Sequence, residues 1–145
     1  MLPDAIELVI VTPEKQLLRV KAIEVQMPGE SGYLGILPGH APLMAELGIG
    51  ELSYHDKGGK ESAHIAIVRG FSEVLPDRVT VLAETAERAE EIDVQRAKDA
   101  LARAEKRLAS GDPNIDWDRA NIALQRALIR IQVGTKKRSA LVPGA

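Results

Sequence analysis

Apolar residues in the first half of the chain come in short β-branched runs separated by glycine and proline. IELVIVT, over residues 6–12, is one such run, and Pro13 ends it. QLLRVKAIEVQM (16–27) puts Leu17, Arg19, Lys21, Ile23, Val25 and Met27 on one face. Leu18, Val20, Ala22, Glu24 and Gln26 take the other. Neither face is uniformly apolar, so alternation supports this strand only in part. AHIAIV (63–68) and RVTVLA (78–83) are clearer strands. Between runs, DKGGK supplies glycines for a tight hairpin, and LPDR places Pro76 and Asp77 in a turn. Turn residues recur at Pro13, Pro28-Gly29, Pro38-Gly39, Gly48, Gly58-Gly59, Gly70 and Pro76. Short strands punctuated in this way predict a β-sandwich or flattened barrel.

The period changes in the second half. Val94, Ala97, Leu101, Ala104 and Leu108 recur at spacings of three and four and form one face of a helix. Asp93 is its N-cap, because its carboxylate accepts from the free amides of the first turn. Gly111 and Pro113 stop it. A second helix follows, capped by Asp116, with Trp117, Ala120, Leu124, Ala127 and Ile131 as its stripe and Gly134 as its end. The short link makes the pair antiparallel. Trp117 is expected to anchor this helix. The seam is mostly alanine, which allows close approach but buries little apolar area. Such a hairpin is marginally stable alone and needs a surface or a ligand. The chemistry shifts near Leu82–Glu91, where the domains are expected to join through a solvated acidic linker, Glu84–Glu91. The expected organisation is a β-sandwich over 1–86, a two-helix hairpin over 87–134 and a flexible tail over 135–145.

Composition narrows the function. Of 145 residues, 45% are hydrophobic but only four are aromatic, so the core is aliphatic. The formal net charge of −2 argues against nucleic acid as a partner. No cysteine is present, which removes disulfides and thiolate chemistry. No apolar run is long enough to span a membrane, and the N-terminus lacks the pattern of a signal peptide.

Two features invite a chemical reading. GYLGILPGHAPL (32–43) holds three glycines, two prolines and His40. His40 is a candidate general base, but no Gly-x-Ser-x-Gly accompanies it, and His55 and His64 do not share metal-ligand spacing with it. The alternative is a histidine that bonds locally in a loop stiffened by Pro38 and Pro42, which loses little entropy on docking. On the helices, Arg96 and Arg103 share one face, as do Arg126 and Arg130. Meeting faces would crowd four guanidinium groups, a condition that a polyphosphate relieves. The alternative is a solvated face on which Asp99 neutralises Arg103. Neither a P-loop nor a dinucleotide-binding glycine pattern occurs.

GYLGILPGHAPL in a β-rich half, VTVLAETAERAEEID at the junction and IDVQRA at the helix start together resemble the epsilon-subunit family of F-type ATP synthases. The resemblance runs from about Ile6 to Lys137. It implies a non-catalytic central-stalk subunit whose sandwich sits between the gamma subunit and the c-ring. Tyr33, Leu34, Gly35, Ile36, Leu37, Pro38, Gly39, His40, Ala41 and Pro42 would then dock on partners. The family places an acidic residue just before LGI; here Tyr33 stands there, with Glu30 nearby. The helices would regulate ATP hydrolysis, permissive when folded and inhibitory when extended into the alpha/beta catalytic head. Glu87, Asp93, Arg96, Arg103, Arg126 and Arg130 match the family's ATP-binding pattern. ATP would be a regulatory ligand, with no cofactor or metal required. The expected location is the cytoplasmic face of the bacterial inner membrane, reached only through the complex. A free-standing ATP-sensing module is the alternative.

Overall fold

The computed structural model describes residues 2–58 and 62–139, and the chain divides into two compact units between Arg88 and Ala89. The first unit is built from β1 (Ile6–Val11), β2 (Gln16–Gly29), β3 (Gly32–Ile36), β4 (Leu43–Asp56), β5 (Ser62–Leu75) and β6 (Arg78–Arg88). Sheet order is β1-β6-β5-β4-β2-β3, and β1 pairs with β2 as well, so the sheet closes on itself. The β1–β6 pairing is parallel and the others are antiparallel. This is the flattened barrel that the punctuated β-branched runs predict. Part of the β4–β5 turn expected in DKGGK, namely Gly59 and Lys60, lies outside the described residues.

The core follows from strand alternation. Ile6, Leu8 and Ile10 on β1 are fully buried, and the residues between them are half-exposed. They meet Val25, Met27, Leu52, Ile65, Ile67, Val79 and Val81 in one aliphatic cluster. The mixed pattern of β2 has a structural cause. Its first half pairs with β1 and its second half with β3 and β4, with a register irregularity between Ala22 and Glu24. Inward positions are Leu18 and Ala22 before that point, then Val25 and Met27 after it. An extra residue in a strand flips every later side chain to the other face, so no single alternation holds.

Two expectations at the junction are corrected. Residues 84–88 are not a solvated linker. They continue β6, whose Thr85, Ala86, Glu87 and Arg88 pair with Val68, Ile67, Ala66 and Ile65. The length of β5 offers partners that far, so the sandwich extends past Ala86 to Arg88. The second unit opens with a single 3₁₀ turn, Ala89–Glu91, then α1 (Val94–Ala109) and α2 (Trp117–Ser139).

Both predicted caps form: Asp93 Oδ1 accepts from the Arg96 amide at 3.1 Å, and Asp116 Oδ1 accepts from the Arg119 amide at 3.1 Å. Ser110 caps the end of α1, and Gly111 leaves it with φ of 69°. Ala97, Ala104, Ala120 and Ala127 are buried, while Leu101, Leu108, Leu124 and Ile131 are only half-buried. The alanine seam is therefore real. Gly134 does not end α2, which runs on to Ser139; residues 140–145 of the predicted tail lie outside the described residues. A glycine terminates a helix by turning left-handed, and Gly134 is not among the positive-φ residues. It serves close approach instead: a Cβ there would sit 2.8 Å from Val94 Cγ2 and 2.9 Å from Ile92 Cγ2. Trp117 is not a buried anchor either. At the first helical position its side chain is 53% exposed. α2 also carries a second buried pair, Ile129 and Val133, on the side opposite the alanine seam.

Two predictions follow from local geometry. β5 is kinked at Arg69 and Gly70, with φ of 53° and 148°. A Cβ on Gly70 would lie 2.0 Å from the Leu82 carbonyl oxygen, which belongs to backbone and cannot step aside. Gly70→Ala should therefore destabilise the sandwich by about 2–3 kcal/mol, read as a lowered urea midpoint. At Asp93, alanine should cost the helical unit about 1 kcal/mol and asparagine only a few tenths, because asparagine caps nearly as well. Thermal unfolding of the two variants followed by helical circular dichroism separates these outcomes.

Candidate functional site

The segment expected to dock begins on β3, which is paired only with β2 among the described strands: Tyr33 opposite Pro28, Leu34 opposite Met27, Ile36 opposite Val25. Ile36 is buried and ties the strand to the core; Tyr33, one pleat out of phase, is 61% exposed. Tyr33 is nonetheless fixed, since its hydroxyl accepts from the Glu51 amide at 3.1 Å. The chain then turns. The His40 amide donates to the Leu37 carbonyl at 3.1 Å, with Pro38 and Gly39 between them and Gly39 at φ of 90°. Proline followed by a left-handed glycine is the sequence requirement of a type II turn. The Gly39 amide donates to the Pro76 carbonyl at 2.7 Å, which fastens the loop to the β5–β6 turn.

His40 completes the clamp: its Nδ1 donates to the Ala41 carbonyl at 2.6 Å. A histidine bonded to its own loop holds backbone, and this is the local reading of the two considered. The result is a stiff segment with outward apolar side chains, notably Tyr33 and Leu37, and Leu43 and Met44 are exposed just beyond it. Glu30, three residues before Tyr33, is exposed.

The six residues matched to nucleotide binding fall in two places. Glu87 lies on β6, half-buried, in the first unit; the other five belong to the helical unit. Arg96 and Arg103 are exposed on one face of α1, well away from the seam residues Ala97 and Ala104. Arg126 and Arg130 share a face of α2, the first exposed and the second half-buried. Asp93 commits one carboxylate oxygen to capping. Asp99 does not neutralise Arg103. Its Oδ1 accepts from Gln95 Nε2 at 3.1 Å, one turn back. Among the described residues no group of His, Asp and Glu is placed to hold a metal ion, and no helix is long and apolar enough to cross a membrane.

Sequence reasoning passed over one surface. Phe71 and Leu82 stand opposite each other on β5 and β6 and are 54% and 55% exposed. The signal was present in the alternation, since both lie out of phase with the buried Val74, Val79 and Val81.

Comparison with known proteins agrees with this geometry. The model for the beta-sandwich domain of the ATP synthase delta/epsilon chain matches residues 5–89, and that for its long alpha-helix domain matches residues 90–134. The ATP synthase epsilon chain of Solibacter usitatus is 49% identical over 136 residues, which are 94% of this chain and all of that one. That of Koribacter versatilis is 56% identical over 110 residues, 76% of each chain. A chain in the structure of the Euglena gracilis mitochondrial ATP synthase, comprising OSCP, F1 and c-ring, superposes with a TM-score of 0.71. It is 22% identical, and the match covers 98% of this chain and 84% of that one, a likeness of fold. With both units matched in order and relatives of near-half identity along almost the full length, the chain belongs to the epsilon-chain family of F-type ATP synthases.

Proposed function

We propose that the chain is a non-catalytic central-stalk subunit of a proton-translocating ATP synthase at the cytoplasmic face of a bacterial inner membrane. It reaches that membrane only through the complex. Its sandwich couples the gamma subunit to the c-ring through Tyr33–Pro42. Its helices regulate ATP hydrolysis, binding ATP when folded and engaging the alpha/beta catalytic head when extended.

The observation that supports this reading best is the mechanical contrast between the two units. The first is a closed sheet around a fully buried aliphatic cluster. The second is a helix pair whose buried seam is four alanines. A coupling element has to transmit force without deforming; a regulatory element has to separate at small cost. An alanine offers about one methyl to the seam, at roughly 0.8 kcal/mol per buried CH₂-sized group, against several such groups for leucine. A ligand that binds only the closed pair stabilises it by about 2.7 kcal/mol at a hundredfold excess over Kd, enough to shift so shallow an equilibrium.

In this reading the arginines of α1 and α2 hold the phosphates. Asp93 keeps one oxygen on the helix start and offers the other to the adenine amino group or the ribose.

Calorimetric titration of the isolated chain should give a one-site isotherm with ATP. Arg126→Ala should weaken it by about ten- to a hundredfold, the loss of one charge-assisted hydrogen bond, and leave the unfolding midpoint of the sandwich in place. An unchanged isotherm removes Arg126 from the site. Truncation after Arg88 should leave a folded sandwich that still copurifies with gamma. A full-length chain that binds ATP but never retains gamma is instead a free-standing ATP-sensing module.

A further inference from the structure

Glu7 is the centre of an ion cluster on the outer face of the barrel. It lies between the buried Ile6 and Leu8, so the pleat turns its carboxylate outward. Register then sets its neighbours. Glu7 stands opposite Lys21 on β2 and opposite Arg78 on β6, and Arg19 is the next outward position along β2. Side chains from the strands on both flanks of β1 thus close on one carboxylate. Arg19 Nη2 donates to Glu7 Oε1 at 2.8 Å, Arg78 Nε lies 3.5 Å from the same oxygen, and Lys21 Nζ lies 3.9 Å from Oε2. The backbone beneath is fixed as well. The Glu7 amide donates to the Asp77 carbonyl at 2.8 Å, and the Lys57 amide donates to the Lys21 carbonyl at 3.0 Å.

The charges do not balance. Three cations share one anion. The other acids nearby do not make up the difference. Asp4 is engaged by Lys57 at 3.5 Å. Asp77, beside Arg78 in sequence, and Glu73, diagonally across from it on β5, pair with none of the three cations among the described residues. Even with Asp77 counted, the cluster stays cationic. Exposure separates the roles. The Glu7 side chain is 18% exposed, whereas all three cations are more than half exposed. Arg19 commits one terminal nitrogen to Glu7 and Arg78 faces it with Nε, so each guanidinium keeps further N–H donors uncommitted among the described residues. Exposed ion pairs contribute little to stability, so a second and a third cation on one carboxylate are not explained by folding.

We propose that Arg19, Lys21 and Arg78 form a binding site for a phosphate oxyanion. A guanidinium presents parallel N–H donors that match two oxygens of a phosphate, and Lys21 adds a point charge. Long cationic side chains lose rotamer freedom when they close on an anion. Here Glu7 already holds them together, so less of that freedom is left to lose. The chain as a whole carries a formal charge of −2, so the attraction belongs to the cluster and not to the field of the whole molecule. The ligand is a phosphomonoester or phosphodiester oxyanion, available as free inorganic phosphate or as the headgroup of an anionic phospholipid. The Pro76–Asp77 turn ties the site to the Tyr33–Pro42 segment, since the Pro76 carbonyl accepts from Gly39 and the Asp77 carbonyl from Glu7. In the stalk reading this brings it toward the membrane. The headgroup as source rests on that reading; the site itself does not.

The test is heteronuclear NMR of the full chain, titrated with inorganic phosphate and, as reference, with chloride at matched ionic strength. Phosphate should give saturable shifts at the amides of Glu7, Arg19, Lys21 and Arg78 and at the Nε–H of both arginines. R19Q/R78Q should weaken the response at least about tenfold. R19K/R78K keeps the charges beside Glu7 but loses the planar fork, and should weaken it at least about threefold. Lys98→Gln on α1 should leave it unchanged. Cosedimentation with phosphatidylcholine vesicles, with and without phosphatidylglycerol, separates the sources. Binding only to the phosphatidylglycerol vesicles, lost in R19Q/R78Q, identifies the headgroup; phosphate shifts without vesicle binding identify free phosphate. The proposal is overturned if the chain shows neither, if R19Q/R78Q responds as the parent does, or if R19K/R78K retains the full response. A chain that binds phosphate here but never retains gamma overturns the stalk reading alone. A chain that retains gamma but binds neither phosphate nor vesicles overturns this proposal alone.

Discussion

Closure of the sheet by β1 is the constraint on which the rest of the sandwich depends. β1 pairs antiparallel with β2 on one side and parallel with β6 on the other. Its inward residues Ile6, Leu8 and Ile10 have no solvent exposure. An open sheet of this length would leave long edge strands with unpaired amides and carbonyls. Closing it leaves one short strand, β3, hanging from β2. That five-residue strand leads directly into the Leu37–His40 turn. The Tyr33–Pro42 segment therefore sits where the barrel has backbone to spare, and its stiffness is borrowed from elements that the barrel already fixes. Pro76 on the β5–β6 turn holds Gly39, and the backbone of β4 holds Tyr33.

The helical unit is built on the opposite principle. Its caps are well made, so each helix is locally competent, but the pairing surface between the helices is thin. Close approach at Gly134 and at the four alanines gives dispersion contact without much area removed from water. A unit with sound helices and a weak seam opens by separating its parts more readily than by melting them. α2 further divides its apolar residues between two faces, the seam and the Ile129–Val133 side.

Charge is arranged differently on the two units. On the sandwich, Glu7 gathers Arg19, Lys21 and Arg78 within 4 Å. Glu46, opposite the exposed Phe71, instead forms no ion pair among the described residues. On the helices Arg96 and Arg103 stand two turns apart and Arg126 and Arg130 one turn apart, and Asp99 is turned toward Gln95 rather than toward Arg103.

Local chemistry was sufficient for the sequence to determine the β-then-α order, both helix N-caps, the alanine seam and the proline–glycine turn that follows β3. Each of these depends on residues within a few positions of one another. The tertiary structure alone decided the features that depend on distant strands. Residues 84–88 became strand because β5 is long enough to pair with them. The confused alternation of β2 was resolved by its change of partner, which no local window contains. Gly134 stayed helical because Ile92 and Val94 leave room only for a hydrogen, and Trp117 stayed exposed because it falls at the first helical position. Phe71 and Leu82 were visible only as two separate outward residues until register laid them side by side. Periodicity along one strand says which way a side chain faces, but the neighbour it faces with is fixed by hydrogen bonding between strands far apart in the chain.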